Sequence, residues 1–298
     1  MSSMDGARPE EGISYIPFGV SELDSNHRGI PTGSAVLLAG ASDAGVSAFT
    51  YTSLGYLMLA QHEPKHVPDR LADRAADIPE NVTYVTLTHD REHVYSELEA
   101  VLPDYASETL RDHLTVVDYS QRYLDLLPVP PVFFEQRRDP TPETVVSPEQ
   151  DPVDGPDDRS FGRFLDDVSE TLVDAGDDLL VLDSFSDLRR ATAFGLERGR
   201  QTAFLMGLRE AVLNRNSVAY VKYERRAEEV RSDMSVHGLL HGSVYFYSND
   251  QGFETYRTMR VGSFGGALDS RHQAMFESVI GDDGFRARLT KKISPNRW

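Results

Sequence analysis

The sequence predicts an α/β protein with a mostly parallel central sheet, flanked by helices and followed by a C-terminal β-hairpin. Two observations carry this. Short runs rich in Val and Leu, bounded by turn residues, recur at strand length. Stretches of helix length alternate with them. Strands that read as continuous apolar runs are those covered on both faces, as in a parallel sheet.

The predicted strands are 35–39 (AVLLA), 82–88 (VTYVTLT), 114–119 (LTVVDY), 179–183 (LLVLD) and 218–223 (VAYVKY). The predicted helices are 46–61, 91–102, 161–175 and 200–214. In the last, Phe204, Leu205, Leu208 and Val212 fall at helical spacing and read as core. Residues 244–247 and 253–261 flank Asn249-Asp250-Gln251-Gly252 and read as a hairpin. Two stretches interrupt the alternation. Residues 62–80 are charged and proline-containing, and 128–160 are richer still in Pro, Asp and Glu. The second cannot bury enough apolar surface to offset its ordering entropy and is expected to be a mobile excursion, with Val132-Phe133-Phe134 as its one apolar cluster. The expected organisation is a disordered leader over 1–16, one domain over 17–268 with loop insertions at 62–80 and 128–160, and a basic tail over 269–298.

Composition narrows the functional classes. The 298-residue chain carries 48 acidic against 30 basic residues, a formal net charge of −18. Lysine occurs only at Lys65, Lys222, Lys291 and Lys292. Such a surface stays hydrated in concentrated salt, where its self-repulsion is screened, and it reads as a haloarchaeal cytoplasmic protein. The same charge opposes nucleic-acid binding, which needs a basic stripe to replace counterions. No apolar run reaches the roughly eighteen residues of a membrane span, and residues 1–12 lack the basic-then-apolar pattern of a secretion signal. Cysteine is absent, which excludes disulfides and thiolate metal sites.

The strongest chemical signal is Gly40-Ala41-Ser42-Asp43-Ala44-Gly45-Val46-Ser47, after the AVLLA strand and before a helix. Its spacing is that of a phosphate-binding P-loop, GxxxxGK[ST], with valine in the lysine's place. In such a loop backbone N–H groups surround phosphates at a helix N-terminus, lysine reaches the β and γ phosphates, and the hydroxyl holds Mg²⁺. Val46 deletes the charge and Asp43 adds a negative one. At an effective dielectric near 20, a unit charge about 4 Å away is worth about 4 kcal/mol before solvent screening. On the octapeptide alone, a glycine-rich turn that never meets phosphate carries about equal weight.

The flanking sequence adds context. Phe18-Gly19-Val20-Ser21-Glu22-Leu23-Asp24, then Arg28-Gly29-Ile30-Pro31-Thr32-Gly33-Ser34, then strand and loop, resemble the entry of KaiC-like and RadA-like proteins of the RecA superfamily. The resemblance covers about residues 18–268 outside the insertions. It implies a RecA-type core, a nucleotide site along 40–47, and Asp183 as the Walker B carboxylate that joins Ser47 around Mg²⁺. The departures fall on the catalytic parts. Where the family's second strand ends in Glu-Glu, this one ends Thr88-His89-Asp90, leaving Asp90 as the sole candidate to polarise water. Where the family carries Lys-x-Arg-Gly-Ser, this chain has Val261-Gly262-Ser263-Phe264-Gly265-Gly266. The implied protein is an inactivated ATPase: a non-catalytic or weakly nucleotide-binding regulatory protein, with signal transduction as one setting and ATP or ADP with Mg²⁺ as optional ligands. Its partners would be protein or self-association. An ATP-binding switch with slow turnover is the alternative, and a recombination-type DNA-binding ATPase is disfavoured by charge.

Three histidine pairs, His62/His66, His89/His93 and His237/His241, have the i, i+4 spacing of zinc ligands. No third ligand stands out beside any pair, so metal binding is not expected. The pairs Asp166/Asp167 and Asp177/Asp178 read as solvated surface. After Gly284 the charge reverses, with Arg286, Arg288, Lys291, Lys292 and Arg297 ahead of the single tryptophan, Trp298. This segment is expected to dock on the core or on a partner, with Trp298 as its anchor.

Overall fold

The computed structural model describes residues 14–130, 158–225, 236, 238–251, 254–262, 264 and 273–293. In chain order the elements are β1 (Tyr15–Ile16), α1 (Ser21–Asn26), β2 (Ile30–Pro31), β3 (Ser34–Gly40), α2 (Val46–His62), α3 (Asp69–Ala72), β4 (Val82–Thr86), α4 (Arg91–Val101) and α5 (Asp104–Asp112). Then come β5 (Leu114–Asp118), α6 (Ser120–Asp125), α7 (Asp158–Asp174), β6 (Leu179–Asp183), α8 (Phe185–Arg190), α9 (Arg198–Arg215) and β7 (Val218–Glu224). The last four strands are β8 (Gly242–Gln251), β9 (Glu254–Val261), β10 (Gln273–Gly281) and β11 (Gly284–Ile293).

Among the described residues, nine strands form one sheet in the order β11-β10-β9-β8-β3-β7-β6-β4-β5. From β8 to β5 every pairing is parallel, and from β8 outward to β11 every pairing is antiparallel. The inner parallel strands β3, β4, β6 and β7 are buried on both faces, whereas the edge strand β5 exposes Thr115 and Asp118. Val36 and Leu38 of β3 face one core layer with α2, α4 and α5, while Ala35, Leu37 and Ala39 face the other with α7, α8 and α9. This explains the unbroken apolar runs, since a strand covered twice has no polar face to alternate with. Helix α2 is buried almost all round, from Val46 through Ala60, because it lies between the sheet and the elements that cross over it.

Three boundaries differ from the sequence reading. The expected leader 1–16 ends earlier: Tyr15–Ile16 pairs antiparallel with Ile30–Pro31, and Ile16 is buried. The stretch 62–80 is a chain of short helical turns whose Val67, Leu71 and Ile78 pack into the core, so its sparse apolar residues suffice to fix it. Within 128–160, α7 already begins at Asp158, while 131–157, with Val132-Phe133-Phe134, lie outside the described residues.

The largest correction concerns 269–298, expected as a tail. Residues 273–281 and 284–293 form an antiparallel hairpin that extends the sheet. Phe285 is buried against Phe49 of α2 and Phe246 of β8, and its N–H donates to Thr52 Oγ1 at 2.8 Å. The physical reason is alternation: Phe285, Ala287 and Leu289 turn towards the core while Arg286 and Arg288 are exposed. Trp298 lies outside the described residues.

Candidate functional site

The site is built at the carboxyl ends of β3, β6 and β7, where ligands of open parallel sheets bind. After Gly40 the chain makes a 3-10 turn over Ser42–Ala44 and reaches Gly45, whose φ of 94° is left-handed and favours glycine, before α2 begins. Gly40 is required by close approach: a Cβ there would stand 2.8 Å from Phe246 Cβ. The backbone thus has the strand–turn–helix form expected of 40–47.

The side chains do something else. Val46 is buried in the core beside Gly40 instead of reaching across the loop. Ala44 N–H donates back to Ala41 O at 2.9 Å. Ser42 and Asp43 are exposed, and Asp43 O accepts from Arg257 Nε of β9 at 2.7 Å. The hairpin of β10 and β11 lies close by, with Phe285 and Ile280 beside Gly45.

Asp183 ends β6 and is 4% exposed; Lys222, on β7, is 1% exposed. Lys222 Nζ donates to Asp183 Oδ2 at 2.7 Å and to Ser47 Oγ at 3.0 Å. The strand pairing explains the reach. Lys222 stands level with Leu38 of β3, and its side chain lies on the α2 side of the sheet with Tyr220 and Tyr84. Tyr84 OH donates to the same Asp183 oxygen and lies 3.4 Å from Lys222 Nζ. Burial, and then the negative charge of Asp183, push the Tyr84 hydroxyl well above the usual phenol range, so it remains a donor. Tyr51 OH, held protonated mainly by its burial, stands 3.4 Å from Tyr84 OH and donates to Glu97 Oε2 at 2.8 Å. A polar chain therefore runs Ser47–Lys222–Asp183–Tyr84–Tyr51–Glu97 beneath α2.

The residues present do not fit a Mg²⁺ ion as the resemblance implies. Ser47 Oγ and Asp183 Oδ2, the two oxygens assigned to the metal, converge on an ammonium group. A second cation between them would meet like charge in a low-dielectric setting. The positive charge beside the loop comes from Lys222 on β7 and is paired with Asp183.

Asp90, the sequence's candidate to polarise water, caps α4: its Oδ1 accepts from His93 N at 2.9 Å at the start of the helix. Asp178 is not mere surface, since its Oδ2 accepts from Thr83 Oγ1 at 2.6 Å. Asp167 pairs with Arg122. Of the histidine pairs, His62 stacks on His113 at 3.4 Å between ring centroids, and His66 pairs with Glu63. His241 Nδ1 accepts from Ala35 N at 3.0 Å, tying β3 to the start of β8; His237 lies outside the described residues. For His89 and His93 the structure supplies the third group that the sequence reading did not find. Glu97 stands one helical turn beyond His93, and one ligating atom from each of the three lies within 4.8 Å of the others.

Sequence reasoning missed Lys222, Tyr84, Tyr51 and Glu97. The available signal for Lys222 was a lysine inside an apolar strand, a charge that burial makes costly without a partner. For Glu97 it was the second i, i+4 step after His89 and His93.

No family model matches the chain, and no curated protein matches it. Among solved structures it is similar to the KaiC-like protein of the hyperthermophilic archaeon Pyrococcus horikoshii OT3. The TM-score is 0.58 at 15% identity, over 92% of this chain and 99% of that one. Identity this low speaks to fold alone, and the fold is a RecA-type core. Among the described residues no helix is long and apolar enough to cross a membrane.

Proposed function

We propose that this chain is a RecA-type protein whose ancestral nucleotide site has been converted into an internal ion-pair network, and that it acts by binding instead of turnover. The observation that carries the reading is Lys222 Nζ, 2.7 Å from Asp183 Oδ2 and 3.0 Å from Ser47 Oγ. Hydrolysis of a nucleoside triphosphate rests on a metal and on cations placed around the γ-phosphate. Here the metal's oxygens hold an ammonium, the loop position that would carry lysine is buried valine, and Asp90 caps a helix. A regulatory role, with a protein partner or a second copy of the chain as its target, follows from keeping the frame without the catalytic groups. The acidic, lysine-poor composition supports placing this activity in a salt-rich cytoplasm.

The test is ATP turnover by the purified chain in molar KCl with Mg²⁺. The expected rate is indistinguishable from buffer. Turnover on the order of 1 s⁻¹, ordinary for enzymes, that vanishes in Ser47→Ala would overturn the reading.

One observation favours a second reading, an ATP-binding switch. Helix α2 starts directly at the left-handed Gly45 with no side-chain cap on its first N–H groups, the backbone form that receives phosphate. In that reading Lys222 leaves Asp183 for the phosphates when nucleotide enters. Its mark would be nucleotide binding that strengthens on adding Mg²⁺.

A further inference from the structure

We infer that His89, His93 and Glu97 form a binding site for a divalent transition ion of the Zn²⁺ class. His89 precedes α4 at the carboxyl end of β4; His93 and Glu97 follow at successive four-residue steps on α4. The spacing puts His93 and Glu97 on one helix face. The three groups stand near ligating separation: His93 Nε2 lies 3.6 Å from Glu97 Oε1, and the His89 and His93 ring centroids are 4.4 Å apart. Ligands about 2.0–2.1 Å from a tetrahedral ion lie about 3.3–3.4 Å from one another, so small side-chain rotations complete the set. Two imidazoles and one carboxylate suit Zn²⁺ and its neighbours and leave open positions for water.

The surroundings orient these ligands. Tyr51 OH donates to Glu97 Oε2 at 2.8 Å, which leaves Oε1 turned towards His93. Asp90 receives the backbone N–H of His93 and fixes the first turn of α4. Such supporting hydrogen bonds commonly tune metal affinity about 10–100-fold. Tyr51 also stands beside Tyr84, which donates to Asp183. An ion on Glu97 therefore sits at one end of the polar chain that ends on Lys222 and Ser47. The site does not depend on whether the chain hydrolyses nucleotide.

The test uses the untagged full-length chain, stripped with EDTA and held in molar KCl. ZnCl₂ is titrated by calorimetry and CoCl₂ by visible absorption. Expected are one ion per chain and a Co²⁺ d–d spectrum of low-symmetry nitrogen–oxygen ligation. Both should be lost in His93→Ala and in Glu97→Gln, the latter keeping an acceptor for Tyr51. Tyr51→Phe should weaken Zn²⁺ about 10–100-fold, and His62→Ala/His66→Ala should leave it unchanged. Circular dichroism and thermal melts establish that each variant folds. Absence of binding at micromolar ZnCl₂, or binding that survives His93→Ala, overturns the site. An unchanged affinity in Tyr51→Phe overturns the part given to Tyr51.

Discussion

Lys222 and Asp183 form an ion pair at 2.7 Å between side chains that are 1% and 4% exposed, and Ser47 closes the group at 3.0 Å. Removing one member of a buried pair strands the other charge and typically costs about 3–5 kcal/mol, whereas replacing both by neutral groups of similar size is often near neutral. Lys222→Met alone should therefore destabilise by about that amount in urea melts. Asp183→Asn combined with Lys222→Met should recover most of the loss, since the amide oxygen introduced on β6 still accepts from Tyr84. Equal destabilisation by the single and the double variant would show that the pair is not the unit.

Asp24 gives the pH dependence a defined sign. Its Oδ1 accepts from Phe18 N at 2.6 Å, while Oδ2 is buried without a partner. Burial pushes its carboxyl from 3.8 up to about 6, against the lowering pull of the Phe18 N–H and of Arg74. The folded state therefore holds this proton to higher pH than the unfolded chain does. The group's favourable contribution is complete below 3.8 and is lost as pH rises through about 6. By linkage the loss is on the order of 3 kcal/mol. Asp24→Asn keeps the acceptor for Phe18 and removes the titration. Its stability relative to the parent should rise between about pH 4 and about pH 8; a pH-independent difference would contradict the assignment.

The C-terminal hairpin should behave as core. Phe285 is 2% exposed and packs on Phe49 and Phe246. Phe285→Ala should cost about 3–5 kcal/mol, and a chain ended after residue 268 should lose cooperative unfolding. A change below about 0.5 kcal/mol, ordinary for surface substitutions, would restore the description of this segment as a tail.

Salt should stabilise the fold. With a formal charge of −18, self-repulsion opposes the compact state, and it is screened as the Debye length falls to about 3 Å near 1 M salt. The thermal midpoint should climb between dilute and molar KCl. Identical midpoints would end the halophilic interpretation.

The parallel core was legible because burial on both faces writes itself as apolar runs. Residues 179–183 came out with the bounds of β6, and 35–39 and 218–223 within a residue of β3 and β7 at each end. The strand-to-helix turn at 40–47 was legible because only glycine accommodates the left-handed backbone at Gly45 and the approach of Phe246 to Gly40. The ion-pair network was not, because it joins Ser47 to Lys222 across 175 positions, and no local pattern encodes that pairing. The hairpin of β10 and β11 was legible in part. The alternation of Phe285, Ala287 and Leu289 with Arg286 and Arg288 is a strand pattern, but the run of positive charge outweighed the periodicity in the reading.

The Mg²⁺ dependence of nucleotide binding decides whether Lys222 holds the place a metal would take. Calorimetric titration of ATP and of ADP into the full chain, with and without MgCl₂ in molar KCl, reads it without relying on turnover. With the ammonium in that place, Mg²⁺ should not strengthen either nucleotide's binding. An increase of tenfold or more with Mg²⁺, about 1.4 kcal/mol, that disappears in Ser47→Ala would show the metal displacing the ammonium and would contradict it.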